Sequence, residues 1–454
     1  MPPLPPWVDD ANAPLLVDLY ELTMAQAYWR EGMAGEEAVF SLYFRELPKR
    51  RNYVVACGLA DALRFLERLA FAGGHLDYLE SLGHFAREFL DWLGALRFTG
   101  EVWAVPEGTP VFPEEPLLEV VGPIAAGQLA ESFLMNQVCF QSVLASKAAR
   151  VVTAAGGRAV VDFGLRRMHG ADAGLKSARA FHVAGVAATS NVLAGRVYGV
   201  PVAGTMAHSY VQAHDDELEA FRAFARLYPE TVLLVDTYDT LAGVRKVVAL
   251  ARELGADFRV RAIRLDSGDL AELARRSREI LDRAGLERVE IFASGGLDED
   301  RIAELVAGGA PIDGFGVGTD LGVSRDAPVL DMAYKLTAYA GKGRLKTSPG
   351  KPILPGRKQV FRREAAGEAA GDVIARAGES GPGRPLLERV MAGGRTLAED
   401  SGDLERARER ARREIGRLPP RVRGLAPADP PYPVAVSAAL AGYAAEVRRE
   451  IAAG

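Results

Sequence analysis

Seven consecutive residues, Arg264-Leu265-Asp266-Ser267-Gly268-Asp269-Leu270, place a forked cation and two carboxylates directly after the apolar run 260–263. A guanidinium at such a strand end can grip a phosphate or diphosphate, and a carboxylate can hold ribose hydroxyls or a hydrated Mg²⁺. The same cluster also reads as a satisfied ion pair. Asp236-Thr237-Tyr238-Asp239 repeats the acidic chemistry after a second apolar run. Asp and Ser are ordinary helix caps, the expected role of Asp239 and Asp269, which leaves Asp236 and Asp266 as the site carboxylates.

Three further features add chemistry. Arg166 and Arg167, just past Phe163, offer donors for phosphate or carboxylate. His208 stands between an apolar run ending at Thr205 and the helical run 210–224, where an imidazole can accept a phosphoryl group or move protons. The other histidines singled out, His75, His84, His182 and His214, read as structural. Two glycine-rich ends, Ala293-Ser294-Gly295-Gly296 and Gly314-Phe315-Gly316-Val317-Gly318-Thr319, let backbone N–H groups approach an anion, although tight strand-to-helix turns need glycine too. Neither string is a Walker A loop or a dinucleotide fingerprint, so any ATP must bind without those signatures.

These groups need a scaffold that brings strand ends together. From residue 159 the chain repeats a short apolar run, a small polar closure and a helical segment, at steps of about thirty residues, the length of one strand-helix unit. The closures are Asp162-Phe163-Gly164, Thr189-Ser190-Asn191, Gly204-Thr205, Asp236-Thr237, Asp266-Ser267-Gly268, Ser294-Gly295-Gly296 and Gly316 to Thr319. The expected fold is α/β, an irregular parallel β/α barrel of about seven units with its site at the strand carboxyl ends. A doubly wound open sheet is the alternative. The expected domains are an N-terminal α+β domain (1–125), the barrel (126–334) and a C-terminal extension packing on the N-terminal domain (335–454). Before the barrel, helical patterning covers 16–28, 60–96 and 128–154, with β-patterned runs at 39–44 and 53–56 and short strands between tight turns across 101–123. The tail is polar and Gly/Pro-rich before helical runs at 404–418 and 437–451.

Composition excludes several classes. With 454 residues, 48% hydrophobic and 25% charged, the chain can bury a large core, and a net charge of −5 without a basic stripe argues against nucleic acid. No apolar run reaches the about 18 residues a membrane span needs, and no leader patterning opens the chain, so a cytoplasmic protein is expected. Two cysteines, Cys57 and Cys139, sit among apolar neighbours and read as core thiols, too few for a four-cysteine zinc site.

Taken in order, Leu15-Leu16-Val17-Asp18-Leu19-Tyr20-Glu21-Leu22-Thr23-Met24, Phe40-Ser41-Leu42-Tyr43-Phe44-Arg45, Asp162-Phe163-Gly164-Leu165-Arg166-Arg167, Gly204-Thr205-Met206-Ala207-His208-Ser209, Val235-Asp236-Thr237-Tyr238-Asp239-Thr240, the cluster at Arg264 and the run from Gly314 resemble the nicotinate phosphoribosyltransferases. The tail segment Tyr432-Pro433-Val434 with Ser437 is similar to that family's ending. The resemblance implies a type II phosphoribosyltransferase that joins nicotinate to 5-phosphoribosyl 1-diphosphate, releasing pyrophosphate, with coupled ATP hydrolysis and Mg²⁺, in NAD biosynthesis. It further implies a phosphohistidine at His208. Tyr20 and Phe163 would sandwich the pyridine ring, the tyrosine coming from a second subunit of a homodimer. Arg166, Arg264 and Asp266 would serve catalysis beside His208. Arg167, Ser190, Thr205 and Asp236 would bind substrate, and Gly295, Gly296, Gly316, Gly318 and Thr319 the 5-phosphate; the metal ligands stay open. Ser190 stands where nicotinamide-using relatives carry an aspartate, and it also reads as a helix cap.

The competing readings are a sugar-phosphate lyase or isomerase, a nicotinamide- or quinolinate-using relative, and a silent binding module. A barrel aldolase would want a Schiff-base lysine at a strand end, but Lys147 and Lys176 fall in helical runs.

Overall fold

The computed structural model describes residues 8–348, 353–397 and 402–453. The chain forms two compact units, residues 1–146 with 329–454, and residues 147–328.

The first unit is built on a seven-stranded antiparallel sheet in the order Lys342–Gly343, Met332–Tyr339, Glu37–Phe44, Leu118–Pro123, Glu101–Ala104, Glu388–Ala392 and Arg395–Thr396. Glu37–Phe44 is central, and seven of its eight residues are buried, so its apolar side chains contribute roughly 1.5–3 kcal/mol each through burial. The buried hydroxyl of Ser41 is satisfied: it donates to Glu119 Oε1 at 2.7 Å, and Glu119 in turn accepts the Lys358 backbone N–H at 2.8 Å and pairs with Lys358 Nζ at 3.0 Å. The helical patterning at 60–96 resolves into three helices, Leu59–Arg68, Gly73–Ser81 and Arg87–Ala95.

The tail is more ordered than its composition implies. Lys358–Ala365 and Glu368–Arg376 form a hairpin flanked by Arg384–Pro385 and by Val434–Val436, which joins in parallel. These strands are absent from the sequence reading because their apolar runs are short, Val360-Phe361 in one and Val373-Ile374-Ala375 in the other, among charged residues. Within the hairpin, Arg362 and Asp372 are buried at 1% and 0% exposure and bonded at 2.6 Å, with the Tyr432 hydroxyl donating to Asp372 at 2.9 Å. A paired guanidinium and carboxylate escape the cost of a lone buried charge, and the stack of Phe112 on Tyr432 at 3.8 Å closes the cluster.

The second unit carries a six-stranded, all-parallel sheet in the order Ala188–Thr189, Ala159–Asp162, Gly314–Val317, Glu290–Ala293, Ala262–Leu265, Val232–Leu234. The seventh expected strand shrinks to one parallel bridge between Thr189 and Val202. Pro201 has no N–H to extend that ladder and Gly204 no side chain to pack, so the barrel is a half-barrel. Four of the helices between strands open on acidic or amide caps: Asn191, Asp239, Asp269 and Asp298 each accept from the first turn. Asp239 and Asp269 are thus caps, as read from the sequence. Lys147 is buried in an ion cluster with Glu299 and Asp326, joined by Arg150, and Lys176 pairs with Asp172. Neither lysine is a free amine at a strand end. Among the described residues no helix is long and apolar enough to cross a membrane, and Cys57 and Cys139 are unbridged.

Candidate active site

Parallel strands end at one edge of the sheet, and the second unit's polar closures meet there. Leu234, Leu265 and Ala293 are fully buried, so each strand holds its register until the first polar residue beyond it. Asp236 follows the first of these runs and is 8% exposed. Its Oδ2 accepts the backbone N–H of Asp266 at 2.9 Å and the Ser267 hydroxyl at 2.6 Å, while its buried Oδ1 has no partner. Asp266 Oδ1 accepts the Ser294 hydroxyl at 2.5 Å, and Oδ2 lies 3.8 Å from His208 Nε2. His208 opens the short helix His208–Gln212, and its Nδ1 is 3.2 Å from Thr237 Oγ1.

Arg264 lies on the strand between the two acids. Its terminal nitrogen donates to Met206 O at 2.9 Å, its buried Nε has no partner, and its guanidinium stands 5.7 Å from the Phe163 ring centroid. Burial holds its pKa below the usual arginine value, opposed by the Asp266 and Asp236 charges and assisted by Arg166. The cation is electrostatically underserved, the condition of a group waiting for an anion. Arg166 and Arg167 lie exposed on the 3-10 turn Leu165–Arg167.

Phe163 is held by backbone: its N–H donates to Val317 O at 2.8 Å. The preceding Asp162 is fully buried, accepting Gly164 N at 2.7 Å and the Thr189 hydroxyl at 2.7 Å. Burial raises its pKa against those two bonds. The result is a cross-brace between the Phe163 loop and the Thr189-Ser190 loop. Ser190 N donates to Asp162 O at 2.9 Å, and the cap of the following helix is Asn191, so Ser190 is not the cap. Thr205 Oγ1 turns back to Met206 O at 3.2 Å.

The glycines divide by role. Gly295 and Gly296 have φ of +86° and +61°, a left-handed pair L-residues resist, and a Cβ on Gly295 would lie 1.8 Å from Asp266 O. Gly318 precedes Thr319 at the head of the short helix Thr319–Gly322. Gly316, expected at a phosphate, is instead buried inside the strand Gly314–Val317. A Cβ there would meet the Phe163 ring at 2.4 Å, so its visible work is to seat Phe163.

The strand ends therefore gather Phe163, Ser190, His208, Asp236, Arg264, Asp266 and Gly295 along one edge. Tyr20 belongs to the other unit, on the helix Leu19–Arg30, where it is 46% exposed. The supports that sequence reasoning left without roles are Asp162, Thr189, Thr237, Ser267 and Ser294. All are small polar residues at a strand end, which is the signal that marks them.

A half-barrel whose strand ends present an unpaired arginine, two interlocked aspartates, a histidine and a left-handed glycine turn defines a group-transfer enzyme for an anionic sugar. Residues 15–139 match the nicotinate phosphoribosyltransferase (NAPRTase) N-terminal domain, and residues 158–366 match the nicotinate phosphoribosyltransferase (NAPRTase) family. The chain belongs to the nicotinate phosphoribosyltransferase family. It is 58% identical to the Mycobacterium tuberculosis nicotinate phosphoribosyltransferase pncB2 over 434 residues, 96% of this chain and 94% of that one. It is 41% identical to the Bacillus subtilis nicotinate phosphoribosyltransferase, covering 81% of this chain and 76% of that one. The crystal structure of human nicotinic acid phosphoribosyltransferase superposes with a TM-score of 0.84 at 30% identity, covering 94% and 99% of the two chains.

Proposed function

We propose that this site transfers the phosphoribosyl group of 5-phosphoribosyl 1-diphosphate to nicotinate, giving nicotinate mononucleotide and pyrophosphate for NAD biosynthesis, coupled to ATP hydrolysis. The carrying observation is Arg264, half-buried between Asp236 and Asp266 with an unpartnered Nε and facing Phe163.

The pyridine nitrogen supplies the electron pair for the new bond to C1 of the ribose, and the bond to the diphosphate oxygen breaks with its electrons leaving on pyrophosphate. No side-chain base is required. The transition state carries positive charge at C1 and growing negative charge on the leaving group, so arginine and aspartate within one site serve opposite ends of the same event. Phe163 offers one face for the ring, worth on the order of 1 kcal/mol beyond area burial. We assign the second face to Tyr20 of a second copy, consistent with its exposure, which makes the working enzyme a homodimer with shared sites. Arg166 and Arg167 lie beside the Phe163 loop, where they would hold phosphate or carboxylate, and Thr205, three residues before His208, would bind substrate. Ser190, not being a helix cap, is free to donate to the nicotinate carboxylate; an aspartate would repel it.

Gly295, Gly296, Gly318 and Thr319 offer backbone N–H groups to the 5-phosphate. Among the described residues no cluster of three metal-ligating side chains occurs, which suits Mg²⁺, an ion bound through one or two carboxylates plus substrate phosphates. The unpartnered Asp236 Oδ1 and the Asp266 carboxylate fit that pattern, and the ion would neutralise charge building on the diphosphate. His208 takes the γ-phosphoryl group of ATP on a ring nitrogen, releasing ADP, and water later removes it as phosphate. The phosphorylated form biases the enzyme toward the product-forming state only by its differential interaction with the two states. We place the enzyme in the cytoplasm.

The test is mononucleotide formation from 5-phosphoribosyl 1-diphosphate and Mg²⁺ with nicotinate, nicotinamide or quinolinate, each with and without ATP. A nicotinate-dependent product stimulated by ATP is expected. Absence of any such product overturns the assignment, and preference for the amide overturns the role of Ser190.

A further inference from the structure

Resting on that reading, we infer that Ser294 is a positioning residue, holding Asp266 so that one carboxylate oxygen faces His208 and the other is withdrawn from substrate. The sequence places Ser294 at the head of a glycine turn, where a hydroxyl would ordinarily be taken to meet phosphate. Its burial says otherwise. Ser294 is 2% exposed, so a phosphate outside the turn cannot reach it. Its hydroxyl is committed inward, to Asp266 Oδ1 at 2.5 Å, with Leu265 O a distant alternative at 3.5 Å.

Two further hydrogen bonds and one close backbone approach make the arrangement specific to Asp266. The Ser294 N–H donates to Leu265 O at 2.8 Å, which locks the two strand ends in register. Gly295, at φ +86°, brings the turn so close that a Cβ would stand 1.8 Å from the Asp266 carbonyl oxygen. The Asp266 N–H is held from the other side by Asp236. With its backbone pinned on both flanks, Asp266 keeps one torsional freedom that matters, rotation of its carboxyl group. That is the freedom the Ser294 hydroxyl removes, because only a fixed Oδ1 leaves Oδ2 pointed at His208 Nε2, 3.8 Å away.

Asp266 lies close to the histidine and its charge acts on Arg264, so its orientation links the state of His208 to the part of the site proposed to meet ribose and diphosphate. Releasing it allows ATP to be consumed without product. A hydrogen bond to a charged group is worth enough that its loss lowers kcat by about tenfold to a hundredfold, with the KM for nicotinate changed by less than about twofold because the ring is held elsewhere.

The experiment compares wild type, Ser294→Ala, Ser294→Cys, Asp266→Asn and the double variant S294A/D266N, measuring kcat, KM and ATP hydrolysed per mononucleotide formed. Cysteine fills the serine volume but donates weakly, so it separates packing from hydrogen bonding. Both single variants at 294 are expected to lose turnover and to hydrolyse more ATP per product. In the Asp266→Asn background, Ser294→Ala is expected to add less than about twofold, since its action passes through the missing carboxylate. Recovery of wild-type turnover in Ser294→Cys, an unchanged ATP-to-product ratio, or full multiplication of the two effects overturns the inference. A wild-type enzyme that makes no mononucleotide overturns the functional reading itself and this inference with it; a working wild type with indifferent Ser294 variants overturns this inference alone.

Discussion

Asp236 Oδ2 accepts the backbone N–H of Asp266 at 2.9 Å, so one site carboxylate is part of the scaffold for the other. Two acids on adjacent parallel strands would otherwise repel across the gap. Using one oxygen as an internal acceptor and leaving the other buried and unpartnered converts that repulsion into a site for something cationic.

Asp236→Asn tests that division of labour. The amide oxygen can still accept from Asp266 N and Ser267, so the melting temperature should stay within about 2 °C, while the lost charge lowers kcat/KM for 5-phosphoribosyl 1-diphosphate by about a hundredfold. Asp236→Ala should in addition lose about 1–3 kcal/mol of stability by orphaning both donors. Steady-state kinetics beside thermal melts decide it. Unaltered diphosphate kinetics in the asparagine variant would remove Asp236 from the site.

His208→Asn removes the proposed phosphoryl acceptor but keeps a polar group of similar reach to Thr237. ATP stimulation should vanish while some ATP-independent turnover persists, because the bond to C1 needs no group from His208. Labelling with γ-³²P-ATP should give phosphoprotein in wild type and none in the variant. Retained labelling or retained coupling would assign the phosphoryl group to another residue.

The strand-end chemistry was legible because each apolar run in the parallel sheet is short and stops at a polar residue, so Asp236, Arg264 and Asp266 announce themselves. Gly316 was not, since a glycine that seats an aromatic ring and one that approaches phosphate look alike in sequence. Ser294 was hidden for a related reason: its hydroxyl points into the fold, and direction is not written in spacing. The half-barrel edge at Val202 and the hairpin 358–376 were not legible, the first because Pro201 and Gly204 cut its ladder to one bridge and the second because its apolar runs are only two and three residues long.

The two glycines of the left-handed turn, Gly295 and Gly296, should behave differently although they are neighbours. Gly295→Ala forces a Cβ onto a backbone oxygen at 1.8 Å in a left-handed conformation, and no side-chain rotation relieves it. A loss of at least about 3 kcal/mol is expected, with activity abolished through displacement of Asp266. Gly296→Ala meets nothing within 4 Å and carries only the left-handed strain, about 1 kcal/mol. Chemical denaturation of the pair measures the gap, and equal losses would mean the turn relaxes freely.

Glu21 gives a prediction about pH. It is fully buried on the helix Leu19–Arg30, and its Oε1 accepts from the Ser132 N–H at 3.1 Å and hydroxyl at 2.5 Å, while Oε2 has no partner. Burial pushes its pKa up to about 7, the Ser132 bonds opposing and the Glu131 and Asp18 charges adding to the rise. An acid whose folded pKa exceeds its unfolded one binds a proton in the folded state that the unfolded chain has already released. Stability is therefore unaffected by Glu21 at pH below about 4.5, falls as pH rises from there to about 7, and stays lowered above. The full cost is at most roughly 3 kcal/mol. Glu21→Gln keeps the acceptor for Ser132 without the ionisation, so the variant should match wild type near pH 4.5 and exceed it by up to that amount at pH 8. Urea denaturation at both pH values measures the difference. A variant less stable than wild type at pH 8 would show that the Glu21 charge is compensated, which points to a cation reaching the Asp18, Glu21 and Glu131 group.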